Sequence, residues 1–245
     1  MLVGADMVLP TEKKNHAVST NLYNESIGLF TNQRLFAGYA YRFKLWSGRM
    51  AVGASVGSLE QKFDASKVEA EESGDDAFPS SEVDGMGLDI TAGVHYTHRL
   101  FHAGLSVMHL TAPTIDLGET HEIKIDPTFY FSGGCNIQLK NPLLSIQPSM
   151  QVMTDLQAWR ADLTVRGTYT YDEKRYYAGL TYTPLTSVAI LLGGEISSIS
   201  FGYAYELFTS GVGLIHGSHD LYVGYVMDLD LFKKGKNKHK SIRIL

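Results

Sequence analysis

The fold class predicted by this chain is all-β: an antiparallel up-and-down transmembrane β-barrel with about twelve strands present. Three observations predict it. Apolar and polar residues alternate with period two along most of the length, the mark of strands with two unlike faces. The segments between them are alternately tight turns and other, mostly longer, connections, as in barrels whose two ends carry different loops. Of the 245 residues 44% are hydrophobic and 19% charged, with a mean hydropathy of -0.07. No eighteen apolar residues run together, which excludes an ordinary transmembrane helix but not a barrel. Tyr (14), Phe (11) and Gly (24) are abundant, as aromatic girdles and close-packed interior faces require.

Taken in order, strands are expected near residues 15–22, 32–45, 48–60, 86–97, 100–110, 122–138, 143–153, 159–171, 174–183, 187–195, 198–207 and 218–231. In the second, Leu35, Ala37, Tyr39, Tyr41, Phe43 and Leu45 oppose Phe36, Gly38, Ala40, Arg42 and Lys44. In the fourth, Leu88, Ile90, Ala92, Val94 and Tyr96 oppose Gly87, Asp89, Thr91, Gly93 and His95. In the eleventh, Ile199, Phe201, Tyr203, Tyr205 and Leu207 oppose Ser198, Ser200, Gly202, Ala204 and Glu206. Tight turns at Trp46–Gly48, Thr97–Arg99, Lys140–Pro142, Asp172–Lys174 and Ile196–Ser197 alternate with Gln61–Gly85, Thr111–His121 and Phe208–Gly217, and with shorter links at Asp155–Ala158 and Pro184–Thr186. A backbone in hydrocarbon satisfies its hydrogen bonds only in a helix or a closed barrel, so the apolar face turns to lipid and the small or polar face inward. A soluble β-protein would use the same alternation with the faces reversed; the sorting of the loops favours the membrane.

Charge is unevenly spread. Gln61–Gly85 carries eight acidic residues against two Lys, whereas the last thirteen positions hold six Lys or Arg. The acidic stretch lacks the order of a dedicated calcium loop and reads as a solvated surface loop. The single Cys135 excludes an intramolecular disulfide and a multi-cysteine metal site. "GASVG" at Gly53–Gly57 matches a nucleophile elbow around Ser55, but strand alternation runs through it and no strand-to-helix turn follows. His98 with His102, and His216 with His219, lack a third ligand and read as turn positions. Inward Arg42, Lys44, Asp89, Asp162, Arg166 and Glu206 either line a pore or pair across it; a filled lumen is the favoured reading. The protein is read as not an enzyme, with no metal, cofactor or nucleic acid.

The closing segment "ISFGYAYELFTSGVGLIHGSHDLYVGYVMDLDLFKKGKNKHKSIRIL" resembles that of the PorP/SprF family, outer-membrane barrels of the type IX secretion system. "GYAYE", "GSHDLYVGY" and "KHKSIRIL" carry the resemblance, with "LFAGYAYRFKLWSGRMAVGASVG" and "YYAGLTYTP" upstream. It implies an accessory role in Bacteroidota: export of cell-surface proteins such as gliding adhesins, together with the translocon and periplasmic lipoproteins. No catalytic residues are implied. The opening "MLVGADMVLPTEKKN" has no basic stretch followed by an apolar one. Family members begin with a leader and about two further strands, so about fourteen are expected in an intact chain. A channel for small solutes is the alternative function.

The expected organisation is a barrel over residues 1–232, lacking its N-terminal strands, and a basic periplasmic tail over 233–245. In the last strand Leu221, Val223, Tyr225, Met227, Leu229 and Leu231 face lipid. Lys233, Lys234, Lys236, Lys238, Lys240 and Arg243 then emerge into the periplasm, where a solvated tail beside lipid head groups is the alternative, followed by the apolar alternation of Ile242, Ile244 and Leu245. A solvated tail has no need of that apolar end. The tail, ending in Arg243, Ile244 and Leu245, is therefore read as a docking segment for a periplasmic partner.

Overall fold

The computed structural model describes residues 1–11, 15–64, 83–117, 121–210 and 217–227. One antiparallel sheet dominates it. Its strands are β1 Leu2–Val8, β2 His16–Ile27, β3 Phe30–Leu45, β4 Gly48–Phe63, β5 Val83–Thr97 and β6 Phe101–Met108. After a small separate hairpin, β7 Thr114–Leu117 and β8 His121–Lys124, the wall resumes with β9 Thr128–Cys135, β10 Ile137–Gln138, β11 Leu144–Thr154 and β12 Trp159–Tyr171. It ends with β13 Lys174–Thr183, β14 Ser187–Ile196, β15 Ile199–Phe208 and β16 Ser218–Tyr225. Each strand pairs with its predecessor and successor in the wall, the arrangement of an up-and-down barrel. β10 keeps the pairing register that β9 has with β11, so the two form a single span interrupted at Asn136.

The wall therefore has thirteen spans where the sequence reading has twelve. The extra one is β1: Leu2, Gly4, Asp6 and Val8 share a face, too mixed a set to stand out as alternation. It is fixed instead by its full register on β2, from Leu2 opposite Tyr23 to Val8 opposite Ala17. With thirteen alternating spans β1 and β16 run in the same direction, and they do not pair among the described residues. Residues 122–138 are not one strand: His121–Lys124 belongs to the separate hairpin, and only Thr128–Gln138 lies in the wall.

The connections separate by end. At one end are Trp46–Ser47, His98–Leu100, Leu139–Leu143, Asp172–Glu173 and Ser197–Ser198. Asp172 and Glu173 both take positive φ (49° and 61°), which matches a two-residue turn to the twist of its strands. At the other end lie the chain from Asp64 to β5, the chain from β6 to β9, Asp155–Ala158, Pro184–Thr186 and the chain from β15 to β16. One expected loop is absent: residues 23–31 are strand up to a two-residue turn, where Gly28 at φ +59° supplies the left-handed backbone.

The two faces follow the alternation. Leu35, Tyr39 and Tyr41 of β3, Leu88 and Val94 of β5, and Ile199, Phe201, Tyr203 and Leu207 of β15 are exposed on the outside. A water-soluble sheet would have to cover such a belt; lipid does so for a barrel. Trp46 at the tight-turn end and Trp159 at the long-loop end are exposed at its two margins, where indole rings suit the interface.

Candidate functional site

With no reaction chemistry legible, the surface that distinguishes this barrel is its inner face, which falls into three parts. Midway along β2–β6 it is bare. A recess of about 440 Å³ is lined by Ser19, Gly38, Gly53, Ser55, Gly93 and Ser106, among others. Register aligns them in rows, Ser19–Gly38–Ser55–Thr91 and Ala17–Ala40–Gly53–Gly93. Ser55 thus sits mid-strand between Gly38 and Thr91, with β4 continuing on both sides, and the nucleophile-elbow geometry is missing.

Under β12–β15 the inner face carries charge. Arg160 Nε meets Asp162 Oδ1 at 3.0 Å, and its Nη2 lies 3.8 Å from Glu206 Oε1. Thr183 Oγ1 donates to the same Asp162 oxygen at 2.7 Å, and the Ser187 hydroxyl donates to Glu206. Thr183 and Ser187 are buried by these contacts. Toward the other end, Arg175 pairs with Glu195 at 3.4 Å, and Arg166 sits over the Tyr177 ring at 4.7 Å. Asp162, Arg166 and Glu206 are therefore engaged within the wall, with partners on their own or nearby strands. Arg42 and Lys44 share the inner face of β3 with Gly38.

The third part is the β7–β8 hairpin, whose first strand the sequence reading places in the Thr111–His121 connection and whose second it takes as the start of a wall strand. It lies against the inner face of β4 and β5. Ile115 and Leu117 pack on Leu59, with Val83, Ile123 and Ile125 around them. Ile115 is 0% exposed and Leu59 2%. Close approach is possible because β5 presents Gly85 and Gly87 there. A Cβ at Gly85 would stand 2.6 Å from Ile115 Cγ2, and one at Gly87 would stand 3.0 Å from Pro113 Cβ. Where β6 gives way to the hairpin, His109 takes φ +58° and breaks the alternation. Its imidazole, 6% exposed, brings Nδ1 to 2.8 Å from Oδ2 of Asp89, which is 0% exposed. The contact is close but off the line of a good hydrogen bond. The legible signals were the two glycines and the alternating "TIDL", too short to count as a strand.

The remaining histidines singled out by sequence find other partners, except His216, which lies outside the described residues. His98 lies against Phe101, with ring centroids 5.1 Å apart, and His102 lies on His95 at 5.8 Å. His219 bonds the Tyr203 hydroxyl at 2.7 Å and packs on Tyr205 in the outer belt. No group of three or more potential metal ligands occurs among the described residues. In the short link before β12, the Asp155 carboxylate accepts hydrogen bonds from the Ala158 and Gln157 amides, which hold its pKa below the usual value. The tail candidates Lys233, Lys234, Lys236, Lys238, Lys240, Arg243, Ile244 and Leu245 lie outside the described residues.

No curated protein matches the sequence. The profile of the family described as "Type IX secretion system membrane protein PorP/SprF" matches residues 3–225. That match runs from β1 to the end of β16, taking in the apolar belt, the bare and charged inner faces and the hairpin between them, and so the chain belongs to the PorP/SprF family of type IX secretion system membrane proteins.

Proposed function

We propose that this protein is an accessory outer-membrane barrel of the type IX secretion system. It supports export of cell-surface proteins by binding the translocon and periplasmic components, and it performs no chemistry itself. The observation that carries this reading is the family match over residues 3–225, on a wall whose outer face suits lipid. The long connections face the cell exterior and the tight turns the periplasm, the usual arrangement in such barrels.

In that orientation β16 ends at the periplasmic side, and residues 233–245 are a docking segment for a periplasmic lipoprotein of the machinery. Its six cations steer the encounter and Ile242, Ile244 and Leu245 anchor it. The test is removal of the gene followed by complementation with the intact chain or with one lacking Lys238–Leu245. Loss of exported surface proteins without the gene, and again without the tail, while the truncated barrel still inserts, is the expected result. Normal export without the gene, with solute uptake lost, would instead assign the protein to small-solute transport. Normal export and co-purification of periplasmic components without the tail would end the docking proposal alone.

A further inference from the structure

We infer that the β7–β8 hairpin is a constriction element that narrows the lumen at its long-loop mouth, and that Asp89 and His109 latch it in place. A barrel of eight strands fills with its own side chains, whereas one of sixteen leaves an aqueous channel. Thirteen spans fall between these sizes, and the inner wall midway along β2–β6 is bare enough to leave a recess. Something else must narrow such a lumen if it is not to conduct, and the hairpin is placed to do so.

Its position follows from register. Asp89 lies in the row Asn21–Phe36–Gly57–Asp89, and the recess begins in the next row, at Ser19–Gly38–Ser55–Thr91. The hairpin rests on the rows just above, those of Gly87 and Gly85. It therefore sits at the entrance to the recess, and a packed β-layer occupies about 10 Å of depth. On the wall beyond, Arg160, Asp162, Thr183, Ser187 and Glu206 gather at the same end of their strands. The entrance is thus bounded by the hairpin on one side and a charged cluster on the other.

The attachment is stronger than loop packing requires. The Leu110 amide donates to Ile90 O and the Thr111 hydroxyl to Leu88 O, each at 2.9 Å, and the Ile125 amide closes the hairpin base on Pro113 O at 3.0 Å. Asp89 is fully buried, and the polar side chain that meets its Oδ2 is His109, with Nδ1 at 2.8 Å. Buried polar groups persist where they meet a partner, so the strand that supports the hairpin and the segment that leads into it are tied together at that point.

The experiment is conductance of the purified full-length protein in planar bilayers, with uptake of a large hydrophilic antibiotic by cells as a second readout. The probe variant is Ile115→Asp combined with Leu117→Asp, which makes the docked hairpin untenable without changing chain length. Gly85→Leu, which fills the space of Ile115 from the wall side, is the independent route. Heat-modifiable migration on gels shows that each variant still forms its barrel. Low conductance in the native protein, raised at least tenfold in either variant, is expected, with Asp89→Asn giving a smaller rise. Equal conductance in native and variant barrels, whether high or low, overturns the inference. Export of surface proteins by the same strains is scored separately, so failure of the constriction leaves the secretion role untouched.

Discussion

Strands β2 to β5 contain two regions that obey opposite rules, and their comparison shows what the solvent does to a sheet. In the membrane part the outer face carries Leu22, Leu35 and Leu88 in one row and Val56 and Ile90 in the next, while the inner face carries Asn21, Phe36, Gly57 and Asp89 and then Ser19, Gly38, Ser55 and Thr91. Toward the long-loop end the same outer face becomes Ser26, Thr31, Lys62 and Asp84, while the inner face becomes Ile27, Phe30, Phe63 and Val83. Pairing continues without a slip through the change. Where lipid surrounds the wall, apolar side chains point out; beyond it they point in: Leu59 and Val83 are covered by the hairpin, Phe30 and Phe63 lie against each other with tilted rings 5.0 Å apart, and Ile27 stays exposed.

Length tells the same story. β3, β4 and β5 have 16, 16 and 15 residues, against 10 each for β13, β14 and β15. A tilted strand crosses a bilayer in about 9–11 residues, so the short wall ends at the interface and the tall wall projects past it. The segment Leu35–Leu45 is the membrane-length part of β3. The projection is a small soluble sheet grown on a membrane one, with its apolar layer on the opposite face.

Three substitutions in one strand test this contrast, from the largest expected effect to the smallest. Val52→Arg on the outer face places a charge near mid-bilayer and is expected to cost about 2–4 kcal/mol of barrel stability. Urea unfolding in lipid vesicles measures it; no loss would mean that this face is not in hydrocarbon. Leu59→Ala, seven residues further along β4 on the inner face, should leave the barrel midpoint unchanged. It should loosen the hairpin by roughly 2 kcal/mol, near the low end for a buried leucine. Faster hydrogen exchange in residues 110–125 is the readout, and uniform destabilisation of the wall would contradict the two-region picture. Glu60→Ala on the projecting outer face removes the 3.2 Å contact with Lys62. A partly exposed pair is expected to contribute only about 0.2–1 kcal/mol, less in high salt.

The same contrast explains which elements are legible from residues alone. β12 to β15 are placed to within a residue because their alternation coincides with the membrane span. Residues 23–31 read as a loop because "YNESIGLFT" is polar where lipid would demand apolar, yet they are strand that has left the bilayer. The hairpin is missed for a related reason: Ile115 and Leu117 alternate over only four residues, and their partner Leu59 lies far away in sequence. The charged inner residues are identifiable by their face. Their partners are not, since Arg160 reaches Glu206 across two intervening strands.

By itself, the sequence determines the class of fold, which residues of each long strand share a face and the sorting of the connections, because period-two alternation and turn chemistry are local properties. The PorP/SprF resemblance in its strands is likewise a local signal, and the family profile bears it out. Tertiary structure decides that β1 joins the wall, that β4 and β5 rise beyond it with their apolar face reversed, and that Asp89 meets His109 beneath an inward hairpin. Each of these depends on what stands across from a residue rather than beside it. A buried carboxylate or a bare glycine acquires its role only when the chain brings a distant partner to that spot.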